Sequence, residues 1–275
     1  AGRRAGALRP HMTSGLAIAD RDIRLARYYD LDFVDVHYDA ELYQQLAQES
    51  GGPVLEFGVG SGRLAIPLAL AGHQVLGIDK DEAMLERGRR RWNDVRGGLE
   101  ADRLLLEAGD FFDLRPEPRH GLALIAANTF LIAEDDDARL TILSVMREGL
   151  RPGGIAAVEV GTPDQAELDR FDGRRQHEWL RIDPETGEEV TKTISAIHDA
   201  SDDSVLLTQI YEWTPLSGGP LSRVTHQDHI HLVSADHLGE LAREAGFGSV
   251  DLRGDHLSIP HGPGSHRVIL VARLV

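Results

Sequence analysis

Three glycines at alternate positions, Gly58, Gly60 and Gly62, stand between an apolar run with one acid (Val54, Leu55, Glu56, Phe57) and a stretch of helical spacing through Leu64, Ile66, Leu68 and Leu70. Glycine takes positive φ without strain and lets a ligand approach bare backbone, so such a turn suits a small molecule held at a helix start. A second apolar run, Val75 to Ile78, ends on Asp79, with Lys80 next. An acid there is placed to accept hydrogen bonds from a ribose. Pro53 to Leu85 therefore reads as strand, glycine loop, helix and strand, a nucleoside-binding unit whose ligand sits beyond the carboxyl ends of parallel strands.

A second set of chemistry-bearing residues is the histidines of the last third: His226, His229, His231, His237, His256, His261 and His266. His229 and His231 share one face of an expected strand, a spacing that suits a metal or a base with its orienting partner. No nearby acid completes a ligand set by spacing, so no metal is expected. His256 lies in the loop Gly254, Asp255, His256 between two expected strands. These three histidines, His256, His229 and His231, are the candidate catalytic bases.

The glycine spacing decides between two ligand classes. A dinucleotide site usually carries G-x-G-x-x-G, with helix-start amides around a pyrophosphate. Here Glu56 precedes G-x-G-x-G. The pattern E/D-x-G-x-G-x-G resembles the class I S-adenosylmethionine-dependent methyltransferases. Three further stretches resemble that family in order: Leu104 to Leu114 (LLLEAGDFFDL), Leu122 to Asn128 (LALIAAN) leading into Thr129 and Phe130, and Leu150 to Gly154 (LRPGG). A lone acid such as Asp79 or Asp110 is usually a turn cap or a solvated strand end, whereas four ordered motifs together are specific.

The resemblance implies S-adenosyl-L-methionine as cofactor and S-adenosyl-L-homocysteine as product. Glu56, Gly58, Gly60, Gly62, Asp79 and Lys80 would lie around it, Asp110 would accept from the adenine amino group, and Phe111 would lie along the ring. Asn128 and Phe130 would stand at the centre of the sheet's ligand edge. Ala26 to Asp30 (ARYYD) resembles the A-x-x-Y-D signature of small-molecule methyltransferases, in which a tyrosine closes over the methionine end. The resemblance gives that role to Tyr28 or Tyr29, while paired tyrosines on an amphipathic helix are about as often plain packing residues. The same resemblance puts the His256 loop near the acceptor. The implied reaction is direct in-line transfer of a methyl group to an O, N or C atom of a small molecule. A nicotinamide-dependent oxidoreductase and a noncatalytic cofactor-binding methyltransferase fold are the alternatives.

Composition narrows the partners. The 275 residues contain no cysteine and carry a formal charge of −16, which excludes disulfides and thiolate chemistry and opposes nucleic acid or an anionic membrane as partner. The run Arg87 to Arg91 (RGRRR) reads as a solvated helix face. Ala127 to Phe130 stands where an N-P-P-Y type motif would favour amide or nucleobase methylation. No signal peptide or bilayer-length apolar run is visible, so a cytoplasmic protein is expected.

These residues need an α/β fold to position them. The expected architecture is a Rossmann-like class I methyltransferase sheet, mostly parallel with a closing antiparallel strand pair, plus an inserted antiparallel β subdomain. Residues 1–12 read as an expression-vector remnant or disordered leader, 13–50 as N-terminal helices forming a lid, and 51–161 as the cofactor-binding core. Residues 162–233 are the insertion, with strands at Glu178 to Ile182, Val190 to His198, Val205 to Thr214 and Arg223 to Val233; 234–275 supply the last helix and strand pair. Period two puts Val205, Leu207, Gln209, Tyr211 and Trp213 on one face of the third inserted strand. That sheet could line a substrate pocket, form a homodimer contact, or do both.

Overall fold

The computed structural model describes residues 15–36 and 39–275, and the leader expected over 1–12 lies outside the described residues. Helices α1 (Gly15–Asp32) and α2 (Ala40–Ser50) come first. An alternating unit follows: β1 (Val54–Phe57), α3 (Ala65–Leu70), β2 (Val75–Asp79), α4 (Glu82–Val95), β3 (Leu104–Ala108), β4 (His120–Ile125), α5 (Asp136–Gly149) and β5 (Leu150–Gly161). After the short α6 (Gln165–Leu168) come β6 (Gln176–Ile182), β7 (Glu189–Asp199), β8 (Ser204–Trp213) and β9 (Ser222–His231), then α7 (Ala235–Glu244), β10 (Ser249–Arg253) and β11 (Arg267–Arg273).

The main sheet has seven strands in the order β10-β11-β5-β4-β1-β2-β3, parallel except for β11, which runs antiparallel to both β5 and β10. The inserted sheet is an antiparallel meander, β6-β7-β8-β9. Both match the architecture expected from the sequence. Because β1 pairs with β2 on one side and β4 on the other, the strand order reverses there and a crevice opens at their carboxyl ends.

Strand periodicity divides the core. Leu55 and Phe57 of β1, with Ala123 and Ile125 of β4, pack towards α5 and α7; Val54, Leu122 and Leu124 pack the other way, against α2, α3 and α4. Burial on both faces explains the unbroken apolar runs at β1 and β4. Two boundaries differ from expectation. β4 stops at Ile125 because Ala127 and Asn128 take φ of 52° and 67°, left-handed geometry that no strand accommodates. β5 begins at Leu150 rather than Ile155, because Leu150 still pairs with His120 before a register shift.

Helix α1 ties the two sheets together. Its Tyr28 ring lies 5.2 Å from Tyr211 and 5.7 Å from Trp213, so the Tyr211 and Trp213 end of the face read as a possible pocket or dimer contact is covered by the protein's own helix. Asp32 accepts from Trp179 Nε1 (2.8 Å), Lys192 Nζ (2.8 Å) and the Tyr211 hydroxyl (2.9 Å). On the core side, Asp30 takes Arg87 (2.5 Å) and Arg91 (3.0 Å) of α4. The arginine run is therefore partly a clamp, with Arg90 left in solvent. Among the described residues no helix is long and apolar enough to cross a membrane.

Candidate active site

The glycine loop folds back under the end of β2. Gly58 N and Val59 N donate to Ile78 O at 2.8 and 3.1 Å, and Gly60 N donates to Asp79 Oδ2 at 2.8 Å. Gly58 has φ of +67°, and a Cβ there would lie 2.5 Å from Thr129 Cγ2; the turn fits no side chain. Asp79 Oδ1 accepts from Asp81 N (2.9 Å), while Asp81 caps α4 through Ala83 N and Met84 N. Burial pushes the Asp79 carboxyl up, and the amides of Asp81 and Gly60 oppose that shift.

Glu56 ends up beneath this loop, 4% exposed, with Oε2 lacking a hydrogen-bond partner among the described residues. Burial pushes its carboxyl up to about 8 despite the pull of Arg63. Tyr29 faces the loop, Cε1 lying 3.8 Å from where a Gly60 Cβ would be, and burial takes its hydroxyl up to about 12 against the opposing pull of Arg63. Arg63 stacks over Phe33 (4.7 Å) and pairs with buried Asp39 at 2.5 Å. Asp30 accepts from Ser61 Oγ at 2.5 Å, latching α1 onto the loop.

Beside the loop is a cavity of about 230 Å³ lined by Phe33, Asp39, Arg63, Asn128, Glu159 and Arg267, among others. Asn128 Oδ1 takes Gly161 N at 2.6 Å, joining the ends of β4 and β5. Glu159 Oε2 accepts from the Tyr43 hydroxyl (2.9 Å); Oε1 meets Arg267 Nη1 (2.7 Å) and His256 Nε2 (3.1 Å). Desolvation alone would raise the Glu159 carboxyl, but His256, Tyr43 and Arg267 together hold it below the ordinary range.

Of the residues picked from sequence, Glu56, the three glycines, Asp79, Tyr29 and Asn128 converge at this edge. Asp110 and Phe111 lie in the next loop along, whose Gly109 N donates to Asp79 O at 2.9 Å. Phe111 packs edge-on to Phe57 (6.3 Å), and Asp110 caps Phe112 N (3.0 Å). Tyr28 and Phe130 are fully buried in core clusters and do not enter the cavity, and Lys80 points to solvent. His256 sits behind Glu159. His229 and His231 lie on the outer face of the inserted sheet, His229 bound to Ser204 Oγ at 3.1 Å, and neither lines the cavity. Sequence reasoning missed Asp39, Arg63 and Glu159. A signal existed for Glu159, the one acid in the apolar run Ile155 to Val160.

Residues 54–154 match the family model described as methyltransferase domain. That stretch, running from β1 into the start of β5, is similar to a methyltransferase domain. Over 126 residues it is 31% identical to the cypemycin N-terminal methyltransferase of Streptomyces sp, covering 45% of this chain and 46% of that one. The chain spans about half the length of the curated relatives it matches. The solved CcbJ methyltransferase of Streptomyces caelestis shares the fold with a TM-score of 0.70, at 24% identity over 86% of this chain and 94% of that one. The sugar N-methyltransferase KedS8 of Streptoalloteichus sp also gives 0.70, at 16% identity over 100% and 98%. The methyltransferase fold thus extends well beyond the matched core, through the inserted sheet and the closing strand pair.

Proposed function

We propose that the protein transfers a methyl group from S-adenosylmethionine to an O, N or C atom of a small-molecule acceptor by direct in-line displacement. The observation that carries this reading is Asp79, fixed by Gly60 N and Asp81 N at the end of β2, where a ribose would meet its carboxylate. The glycine cradle would take the sugar and sulfur region, and Asp110 with Phe111 the adenine. Tyr29, Arg63 and the unpartnered Glu56 oxygen suit an amino-acid end bearing both charges. When bound, the cofactor supplies a methyl group activated by its positive sulfur. The protein's part is to hold both partners in near-attack geometry and exclude water. His256 braces Glu159 from behind, a positioning role in this reading.

A dinucleotide is opposed by the loop's own hydrogen bonds. Gly58 N, Val59 N and Gly60 N already donate to Ile78 O and Asp79 Oδ2, where a pyrophosphate would need free amides. Two relatives named as N-terminal and sugar N-methyltransferases favour a natural-product acceptor, amino sugars included. Leu180, Ile182 and Ile197 expose 52%, 67% and 50% on the outer face of the inserted sheet, which supports a homodimer contact checked by light scattering.

Calorimetric titration with S-adenosylmethionine and S-adenosylhomocysteine tests the cofactor. Wild type should bind both, and Asp79→Ala should bind about 100-fold more weakly, since charge-assisted hydrogen bonds are lost. Folded wild type that binds neither, yet changes NADH fluorescence on mixing, would overturn the reading in favour of an oxidoreductase.

A further inference from the structure

The cavity contains an unused acid. Asp39 is 3% exposed, and its Oδ2 is held by Arg63, yet its Oδ1 has no hydrogen-bond partner among the described residues. A buried carboxylate oxygen left dry costs free energy unless a ligand supplies the missing donor. Asp39 and Glu159 both line the cavity, and a carboxylate oxygen of Asp39 lies within 4.8 Å of ligand-capable atoms of Glu159 and His256. The same Arg63 guanidinium acts on Tyr29 and Glu56 as well as on Asp39, so the orphan oxygen adjoins the proposed cofactor pocket.

A divalent ion fits this place poorly. Arg63 lies 2.5 Å from Asp39 and Arg267 2.7 Å from Glu159, so two guanidinium groups already neutralise the two carboxylates and would repel a metal. What remains is one anionic oxygen asking for one N–H or O–H donor.

We propose that Asp39 Oδ1 anchors the acceptor's nucleophile and that this nucleophile is an amine; the inference rests on the methyltransferase reading above. Held through one N–H, a neutral amine keeps its lone pair free. That pair forms the new bond to the methyl carbon as the carbon–sulfur bond breaks and sulfur keeps the electrons. Positive charge then develops on nitrogen beside a buried carboxylate, which stabilises it, and the amine proton passes to Asp39 Oδ1 and on to water. A hydroxyl, by contrast, attacks well only as a strong base takes its proton, and a carboxylate already paired with a guanidinium is a weak base, which is why the site favours nitrogen.

Sinefungin tests this without knowledge of the acceptor, because it carries a primary amine where S-adenosylmethionine carries its methyl group. Calorimetry on wild type should show sinefungin binding more tightly than S-adenosylhomocysteine. Asp39→Asn should erase about tenfold of that preference, the ratio of the two affinities being the readout because Asp39 also pairs with Arg63. Asp39→Ser, smaller and also neutral, should do the same and serves if the asparagine variant unfolds. An unchanged preference overturns the proposal. Equal loss for both ligands also overturns it and assigns Asp39 to the cofactor's amino-acid end. Failure of wild type to bind S-adenosylhomocysteine at all sinks the cofactor reading instead, so the two failures are distinguishable.

Discussion

The Asp32 cluster under the inserted sheet and the glycine edge of the main sheet both bury charge, but one cluster is complete and the other is not; elsewhere at the insertion, Asp183 Oδ2 and Glu188 Oε2 lack hydrogen-bond partners among the described residues, paired only as ions with Arg27 and Arg24. On the insertion, Lys192 is 7% exposed and sits between Asp32 and Glu178 at 2.8 and 2.9 Å, while Asp32 takes two further donors from Trp179 and Tyr211. At the glycine edge, Glu56 Oε2, Asp39 Oδ1 and Arg63 Nε have no hydrogen-bond partner among the described residues. Buried polar groups are normally satisfied, so a closed set signals architecture, and a cluster of open ones beside a cavity signals a ligand. The Asp32 cluster thus serves the architecture, and the open groups at the glycine edge are those the proposed ligand would meet.

The largest expected effect breaks the closed side. Asp32→Ala leaves Lys192, Trp179 and Tyr211 without their shared acceptor, and should cost about 3 to 5 kcal/mol, the usual range for halving a buried pair. Urea unfolding reads this directly. The S-adenosylhomocysteine affinity of the folded fraction should stay within about twofold, because Asp30 still latches α1 to Ser61. A stability loss below about 1 kcal/mol would erase the contrast between the regions.

On the open side, Gly58→Ala puts a Cβ 2.5 Å from Thr129 at φ of +67°. Strain and clash together should cost roughly 2 to 3 kcal/mol, and the displaced loop should lose S-adenosylhomocysteine binding altogether. Unlike Asp32→Ala, this variant fails mainly in titration calorimetry. Retained affinity would show that the loop does not cradle the ligand.

Legibility in the sequence divides along the same line. The glycine loop, Asp79 and every strand of the insertion could be read because they rest on local rules: positive φ, strand-end placement, period-two alternation. Asp39 and Arg63 could not, because what matters in them is an unfilled valence, created only when α2, the loop and β5 come together; Glu159 showed only as the lone acid of an apolar run. Tyr28 and Tyr29 show the limit most simply. They are adjacent, yet a helix turn of about 100° sends Tyr28 into the inserted sheet and Tyr29 towards the glycines.

Glu56 offers a pH test of the open side. Its carboxyl is raised to about 8 by burial, against an ordinary value of 4.5. The folded protein therefore keeps a proton that the unfolded chain releases above 4.5, so this group's contribution to stability falls by about 1.4 kcal/mol per pH unit and levels off above the folded value. Glu56→Gln should remove that slope, making the ligand-free variant more stable than wild type at pH 8. Parallel urea midpoints for the two proteins between pH 6 and 8 would show that Glu56 is not a strained acid awaiting a ligand.

The smallest expected effect concerns His229, chosen from sequence as a base. The structure leaves it exposed on the outer face of β9, with one hydrogen bond to Ser204 at 3.1 Å. His229→Gln can keep a polar contact there and should change stability by no more than about 0.5 kcal/mol, with the S-adenosylhomocysteine and sinefungin affinities unmoved. This near-silence is informative because Asp39→Asn, an equally conservative change, is expected to shift the ratio of those affinities. If His229→Gln moved that ratio instead, the inserted sheet would have to reach the reacting atoms, and its closed charge network could no longer be read as architecture alone.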